Sequence, residues 1–462
     1  MDRKAALYPA IPIGGLLVSM AAGLSPQQSV AVSVFTGIIG GTLLFWRFRL
    51  AFALVGVSIL MAARLIDVPT FIEFSSLDVI VFLICMMIVI GFLEERRFFE
   101  VVVDRVLHLG RGGAVRLMAV FLGMAALSAA LVDEVTSILF MMSTGISLAA
   151  RFGLPLLPLL LMTVFATNIG SSATVVGNPI GVMIALNSGY GFSDFLRYSA
   201  PAAVVATFVV VLVSSVYFRD FFRRLDEGLK KEALVSAAVA EDGAERVKID
   251  RTALIVFLGV MGGLVLHTQI EALLGLKKNT MLIGTAMIGA GVVLLIEGQK
   301  ARELVERRVD WWTLTFFMLF FASVGTLHYT GVTKFLADAV GDVFGTNPLT
   351  TLPAFYTITG LMSAFMDNVL AVAFWIPVVQ EMEAAGLGSR YLWWTMLKAG
   401  TYMGNLTLIG STANIVAVGM VERQKLAHIT FRDWIKPGIL VGVLPTSAVA
   451  LLWLIGNALL NA

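Results

Sequence analysis

Apolar stretches separated by short charged breaks run along almost the whole chain. The uncharged runs are about 17 to 25 residues long, which is the length that an α-helix needs to cross about 30 Å of hydrocarbon. They predict spanning helices near 6–24, 28–46, 50–66, 76–93, 198–218, 252–270, 279–297, 310–329 and 435–460. The first run is followed at once by another, so it does not resemble a removable signal peptide.

Between these runs lie segments with a less simple pattern. Amphipathic stretches lie at 94–111 and 332–346. Pairs of short apolar legs that meet at acidic residues lie at 115–132 with 135–150 and at 349–366 with 368–380. Apolar stretches with a glycine-rich middle lie at 152–193 and 391–421. The first amphipathic stretch is typical of a helix on the membrane surface. Residues 219–251 carry mixed charge and predict a solvated linker.

The order of pieces before the linker is repeated after it, once residues 1–24 are set aside as an extra N-terminal helix. Asp133-Glu134 in the first part matches Asp367-Asn368 in the second, and Thr174 matches Thr407. The distance along the chain between the two threonines is one residue shorter than the distance between the two aspartates. Two separate motifs therefore give the same period to within one residue. We predict a first repeat at 25–218 and a second repeat at 252–462, joined by the linker at 219–251.

Each repeat makes an odd number of passes, because its pair of legs counts as two and the remaining pieces count as five. The second repeat is then inverted relative to the first. With the N-terminus inside, 26 of the 33 lysines and arginines lie in inner loops, as the positive-inside rule requires. The N-terminus and linker are predicted to be cytoplasmic and the C-terminus outside, in a prokaryotic inner or plasma membrane.

The predicted fold class is an all-α polytopic membrane protein with two inverted repeats and about 11 transmembrane segments. Each repeat contains a re-entrant hairpin and a broken transmembrane helix, and the extra helix precedes them. Composition agrees, since 58% of residues are hydrophobic and only 14% are charged, against about 25% charged in soluble domains. A net charge of +2 excludes a large electrostatic footprint for nucleic acid.

The acidic residues between the apolar legs are candidates for a functional site. A charged side chain at bilayer depth costs at least about 2.5 to 3.5 kcal/mol on insertion scales, and Asp133, Glu134 and Asp367 occupy such positions. We expect them at the tips of re-entrant hairpins. The alternative is that each pair of legs forms two ordinary spans joined by an exposed turn.

The glycine-rich middles of the two interrupted stretches are the second candidate. Glycine and proline break helical hydrogen bonding, and the freed backbone groups need polar partners. Half-helix ends of this kind face ions near the membrane midplane in transporters. The candidate residues are Asn168, Gly170, Thr174, Gly177 and Asn178, and in the second copy Asn405, Thr407, Gly410 and Asn414. The alternative is close helix packing through small residues.

Other polar residues in the apolar segments give little support for catalysis. No His, Cys and Glu cluster has metal-ligand spacing, and no serine or cysteine has a plausible base partner. We therefore predict no enzymatic activity and no cofactor. Lys398 lies just before the second break, and its side chain is expected to snorkel to the membrane interface. The alternative is a countercharge to Asp367 or an anion contact.

These motifs resemble the ion transporter superfamily, and within it the arsenite permease and NhaD-type sodium/proton antiporter families. The likeness lies in Val-Asp133-Glu134-Val-Thr136, Asn168-Ile-Gly170-Ser-Ser-Ala-Thr174, Met-Asp367-Asn368-Val and Gly404-Asn405-Leu-Thr407, and it covers nearly the whole chain. The resemblance implies hairpins that open from opposite sides and an elevator-like movement of this unit against a scaffold. It also implies a homodimer formed through the scaffold.

The hairpin tips favour an inorganic ion as the substrate. Dicarboxylate and citrate members of the superfamily carry Ser-Asn-Thr at both tips, whereas this chain has Asp-Glu and Asp-Asn. Our leading hypothesis is proton-coupled sodium antiport. Arsenite or metalloid efflux and sodium-coupled organic anion transport are alternatives, and a channel or scaffold subunit is a different class.

In the leading scheme, buried carboxylates exchange a proton for a cation. Asp133 and Asp367 alternate between protonated and ion-bound forms while Glu134 assists, and a sodium site is expected at Asp133, Asn168, Asp367 and Asn405, because hard cations prefer oxygen ligands. The remaining predicted site residues are Thr136, Gly170, Thr174, Gly177, Asn178, Asn368, Thr407, Gly410 and Asn414. The expected partners are the lipid bilayer and a small ion.

Overall fold

The chain folds into a bundle of helices. The structure, a computed structural model, describes residues 3–107, 112–238, 249–345, 347–387 and 389–460, and these residues contain no strand. Within them, ten helices are long and apolar enough to cross a membrane. The predicted fold class of an all-α membrane protein is confirmed.

Most of the helices before the linker begin and end close to the predicted positions, and the first part of the predicted linker itself forms a helix, α14. They are α1 Arg3–Leu7, α2 Ala10–Ala21, α3 Pro26–Leu44, α4 Arg49–Ala62, α5 Val68–Phe74, α6 Leu77–Glu95, α7 Phe98–Leu107, α8 Ala114–Leu131, α9 Glu134–Phe152, α10 Leu156–Ser171, α11 Pro179–Ser188, α12 Phe192–Tyr198, α13 Ala200–Tyr217 and α14 Arg219–Ala238. Residues 108–111 of the predicted amphipathic stretch and 239–248 of the predicted linker lie outside the described residues.

The helices after the linker follow the same order. They are α15 Arg251–Leu274, α16 Thr280–Glu297, α17 Ala301–Arg308, α18 Trp311–Tyr329, α19 Val332–Phe344, α20 Pro348–Phe365, α21 Asn368–Ala384, α22 Arg390–Met403, α23 Thr412–Arg423, α24 Phe431–Pro437 and α25 Leu444–Leu460. A 3-10 turn, Gly404–Leu406, follows α22, and a π-helical segment, Gly438–Val443, joins α24 to α25.

The two halves repeat each other helix by helix. Glu134 and Asn368 of the sequence motifs are 234 residues apart. The start of α18 follows the start of α6 by the same number of residues, and so does its end; the same holds for α20 and α8. The contacts are reciprocal as well, because α9 packs against α23 while α21 packs against α11. Each hairpin therefore touches the broken helix of the other repeat.

The first leg of each hairpin has its predicted length, and the second leg is longer than predicted, since α9 ends at Phe152 and α21 at Ala384. α8 and α9 have 18 and 19 residues, so each is about 27 Å long, and length alone would allow an ordinary span. The positions of the turns distinguish the two interpretations. Glu134 and Asn368 at the two tips are both buried, and Asn368 Nδ2 donates a hydrogen bond to Glu134 Oε1 at 3.1 Å. Two turns that meet inside the protein are re-entrant tips, so exposed loops are the wrong interpretation.

Two predicted spans differ from their predicted form for local reasons. The span predicted at 50–66 ends at Ala62, and a separate helix, α5, begins after Asp67, whose side chain accepts a hydrogen bond from the Thr70 backbone N–H at 2.9 Å. The last span contains the π-helical segment, where a Cβ at Gly438 would lie 2.8 Å from the Leu406 carbonyl oxygen. Glycine therefore lets this span approach the second break closely.

Candidate functional site

The first hairpin tip forms where α8 ends and α9 begins. Asp133 caps the N-terminus of α9, because its Oδ1 accepts hydrogen bonds from the backbone N–H groups of Val135 at 2.7 Å and Thr136 at 2.9 Å. An aspartate at this position satisfies donors that a helix N-terminus leaves unpaired. The local sequence thus shapes the tip and places the next residue, Glu134, at the start of α9.

The Glu134 carboxylate lies at the centre of the site, and only 2% of this residue is exposed. Its Oε1 accepts hydrogen bonds from Asn368 Nδ2 and Ser411 Oγ, both at 3.1 Å, and its Oε2 lies 3.1 Å from Ser171 Oγ. Ser171 belongs to the first repeat, whereas Asn368 and Ser411 belong to the second. One carboxylate therefore joins the two repeats, and these hydrogen bonds offset the cost of burying its charge.

The second hairpin tip has a similar construction. Asp367 caps α21, because its Oδ1 accepts a hydrogen bond from the Val369 backbone N–H at 3.0 Å. Its Oδ2 accepts a second hydrogen bond from Thr412 Oγ1 at 2.6 Å, and Thr412 is the first residue of α23. Asp367 therefore ties the second tip to the second broken segment.

Three buried asparagines connect the two broken segments. Asn168 Nδ2 donates to Asn405 Oδ1 and to Asn414 Oδ1, both at 2.8 Å. Asn414 Nδ2 in turn donates to the carbonyl oxygens of Gly404 at 2.9 Å and Thr407 at 2.8 Å. These amides satisfy backbone groups that the break removes from helical bonding.

Ser171 allows Glu134 to hold either charge state. Its Oγ lies 2.9 Å from the Asn168 carbonyl oxygen and accepts a hydrogen bond from Asn178 Nδ2 at 2.8 Å. A hydroxyl group has one proton and two lone pairs. It can donate to an ionised Glu134, or donate to the Asn168 carbonyl and accept from a protonated Glu134. The remaining atom of the Asn178 amide, Oδ1, accepts from the Gly181 backbone N–H at 2.8 Å and caps α11.

Two threonines fasten the broken segments to the hairpins at equivalent positions. Thr174 Oγ1 donates a hydrogen bond to the carbonyl oxygen of Ala130, near the end of α8. Thr407 Oγ1 donates to the carbonyl oxygen of Ala364, near the end of α20. The similarity of the two repeats therefore includes individual hydrogen bonds.

The predicted glycines allow backbone to approach backbone. A Cβ at Gly170 would lie 2.1 Å from the Ala126 carbonyl oxygen of α8, and one at Gly177 would lie 2.2 Å from the Ser171 carbonyl oxygen. A Cβ at Gly410 would lie 2.5 Å from a carbonyl oxygen of its own broken segment. Any larger side chain at these positions must push main chain aside, and the breaks are compact for that reason.

Four helix N-termini converge on the site. They belong to α9 and α21 at the hairpin tips and to α11 and α23 after the breaks, and each has a side-chain cap. A helix N-terminus carries a partial positive charge. Their combined field favours a negative charge at the position of the Glu134 carboxylate.

Two side-chain oxygens of the site have no hydrogen-bond partner. They are Asn168 Oδ1 and Asn368 Oδ1, and both residues are 0% exposed. A buried acceptor without a partner costs free energy, and amide oxygens are ligands that hard cations accept. Together with the nearby carboxylate they supply oxygen donors that could bind a cation.

The structure brings the predicted residues together but changes their order of importance. The sequence places Asp133 and Asp367 at the centre with Glu134 assisting, whereas the structure places Glu134 at the centre and uses both aspartates as helix caps. Of the predicted sodium ligands, Asn168 and Asn405 are in contact. The assignment of sodium to these four residues stays a prediction.

Three residues that contact the acids were not predicted as site residues. They are Ser171, Ser411 and Thr412, and each bonds a hairpin-tip carboxylate. A signal was present, since a hydroxyl residue follows glycine in both Gly170-Ser171 and Gly410-Ser411.

Lys398 does not snorkel to the interface, so that prediction is wrong. The residue is 0% exposed, and its Nζ donates to Ser199 at 3.0 and 3.1 Å. The described residues show no ion pair between Lys398 and Asp367.

Sequence comparisons give consistent matches over most of the chain. A family model described as citrate transporter matches residues 38–399. An uncharacterized transporter of Mycobacterium tuberculosis is 30% identical over 381 residues, covering 82% of this chain and 86% of that protein. An uncharacterized transporter of Synechocystis is 26% identical over 423 residues, covering 86% and 90%.

More distant matches extend the likeness. The human P protein is 21% identical over 471 residues, which cover 86% of this chain and 56% of that protein. The crystal structure of the YdaH transporter of Alcanivorax borkumensis matches with a TM-score of 0.54 and 16% identity, over 87% of this chain and 88% of that chain. At this identity the structural match shows the fold alone.

Proposed function

From the premise that this chain belongs to the citrate transporter family, we propose that it couples the movement of a small ion to protons through Glu134. The chain is a secondary transporter of this family, and its matches point to transport rather than catalysis. Neither the transported ion nor the coupling ion follows from the family. The site geometry supports the more specific proposal.

The observation that carries the proposal is one buried carboxylate bonded by both repeats. Glu134 contacts Ser171 on one side and Asn368 and Ser411 on the other. A carboxylate in this position can hold a proton in one half of a cycle and a cation in the other. Ser171 supports both forms, because its lone pairs and its proton can serve either charge state.

Sodium/proton antiport is the first candidate function. The unpartnered oxygens of Asn168 and Asn368 and the Glu134 carboxylate supply the oxygen ligands that a sodium ion requires. The elevator movement that the resemblance implies would carry the two hairpin tips and the two breaks, which share one site, as a unit against the remaining helices. The homodimer expected from the resemblance belongs to this proposal.

Citrate-type anion transport is the second candidate function. Four capped helix N-termini converge on the site, and such ends bind carboxylate groups of ligands. The matching family model is also described as citrate transporter. In this scheme Glu134 carries the coupling proton, and the substrate lies against the helix ends. Arsenite efflux is a third candidate function, which the same assay tests.

The test is transport by purified protein in liposomes with an imposed pH gradient. Sodium, lithium, potassium, citrate, a dicarboxylate and arsenite are supplied in turn, and uphill flux of one of them is measured. We expect Glu134→Gln, which keeps the size and loses the titrating group, to abolish uphill flux. Glu306→Gln is the control, because Glu306 is exposed in an ion pair with Arg302.

The outcomes separate the candidates. Uphill sodium flux driven by protons supports antiport, and uphill citrate flux supports the second candidate. Full proton-driven transport by Glu134→Gln would remove this carboxylate from the mechanism. Flux that never runs uphill in any arm would indicate a channel instead.

A further inference from the structure

Lys398 is a buried basic residue that the proposed mechanism does not use. It lies on α22, one of the two helices that lead into the breaks, and none of its surface is exposed. Its Nζ donates to the Ser199 carbonyl oxygen at 3.1 Å and to Ser199 Oγ at 3.0 Å, and it lies 5.5 Å from the centre of the Tyr402 ring. In the part of the chain that the structure describes, none of the ion pairs includes Lys398.

The hydrogen-bond count at Lys398 fits an amine better than an ammonium group. An ammonium group has three donors and no acceptor, and Nζ has two acceptors, both on Ser199. A neutral amine has two N–H groups and one lone pair, so two acceptors satisfy both of its N–H groups. A buried ammonium group without a countercharge is also costly.

The surroundings of Lys398 supply no compensating charge. Tyr402, one turn further along α22, is the titratable group that faces it. Ser199 faces it from the junction of α12 and α13 and carries no charge. The packed helices α10, α11, α20 and α25 carry no charged side chain, and the two glutamates of α21, Glu381 and Glu383, contact His328 and Trp393. In the described residues no hydrogen bond or ion pair joins either glutamate to Lys398.

Lys398 is connected to both broken segments. It lies on the helix that leads directly into the second break. Its partner Ser199 donates through Oγ to the Ser172 carbonyl oxygen at 2.6 Å, and Ser172 follows Ser171, which contacts Glu134. A change in the charge of Nζ would therefore act on both breaks.

We propose that Lys398 is a second proton-binding site of the transport cycle, separate from the hairpin carboxylates. In the arrangement seen here, where the side chain is buried, Nζ is a neutral amine. When the surrounding helices rearrange and water reaches it, the Nζ lone pair takes a proton from one side of the membrane, and that proton leaves on the other side. This inference rests on the proposed proton coupling and adds one proton to it.

The test is the proton-to-substrate ratio, measured in liposomes as the pH gradient at which net flux of the transported ion reverses. Lys398→Met keeps the length and apolar stem of the side chain without a proton site, and we expect its ratio to fall by one proton per cycle. Thr401→Val is the control, because Thr401 lies on the same helix, is buried, and bonds only helical carbonyls. We expect its ratio to equal that of the unaltered protein.

A second variant covers a failure of the first to fold. Lys398→Gln keeps a donor for Ser199, has no proton site, and should show the same lower ratio. A second readout, proton uptake or release on addition of the transported ion to detergent-solubilised protein, should also fall by one in either variant.

The results distinguish this inference from the proposed function. Unchanged ratios in both Lys398 variants, with coupling intact in the unaltered protein, would overturn the role of Lys398 alone. Absence of proton coupling in the unaltered protein would overturn the proposed function and this inference with it.

Discussion

Replacing Gly170 by alanine should displace the first hairpin from the first broken segment. The added Cβ would lie 2.1 Å from the carbonyl oxygen, 2.3 Å from the Cα and 2.5 Å from the carbonyl carbon of Ala126. Since carbon atoms reach ordinary contact at about 3.5 Å, α8 and α10 must separate by about 1 Å. All three obstructing atoms are backbone, so no side-chain rotation can relieve the overlap. Overpacking of this kind costs about 1–3 kcal/mol.

The displacement should also reach the ion site. α8 leads into the tip that carries Glu134, and Thr174 fastens the end of α8 to the break. A shift of about 1 Å at a binding constellation is enough to weaken function strongly. We expect Gly170→Ala to lower both the melting temperature in detergent and the transport rate in liposomes.

Gly123→Ala is the matched control for Gly170→Ala. Gly123 lies on α8 itself, and a Cβ there would meet nothing within 4 Å. Alanine in an open helical position is about 0.5–1 kcal/mol more favourable than glycine, so the control should be equally or more stable and fully active. Equal stability and transport in both variants would refute the close contact between α8 and α10.

Two further predictions follow from single buried or half-buried interactions. Thr174→Val and Thr407→Val each leave a buried carbonyl oxygen without a hydrogen bond, which should cost about 1–3 kcal/mol of stability. We expect similar falls in the melting temperatures of the two variants. A fall in one variant only would contradict the symmetry of the breaks. Arg308→Gln removes the ion pairs to Glu94 at 2.9 Å and Glu95 at 3.3 Å, so its melting temperature should fall, and by less at high salt because exposed charges are screened.

Much of the fold could be predicted because its causes are local. Long apolar runs can only be stable in lipid as helices whose backbone groups are paired internally, and the spans were predicted near their observed positions for that reason. The constant offset between the repeats was visible in two short motifs and reappears in the bounds of α6 and α18. The second leg of each hairpin was predicted too short, because apolarity does not show where a helix ends.

The chemistry of the site depended on contacts between distant parts of the chain. The sequence determined that acids stand at both tips and that glycines interrupt both helices. Only the tertiary structure decided that Glu134 is central, since its partners Ser171, Asn368 and Ser411 lie 37, 234 and 277 residues away. It also decided the position of Lys398, because a lysine in an apolar helix can reach water or remain buried, and the neighbouring helices determine which.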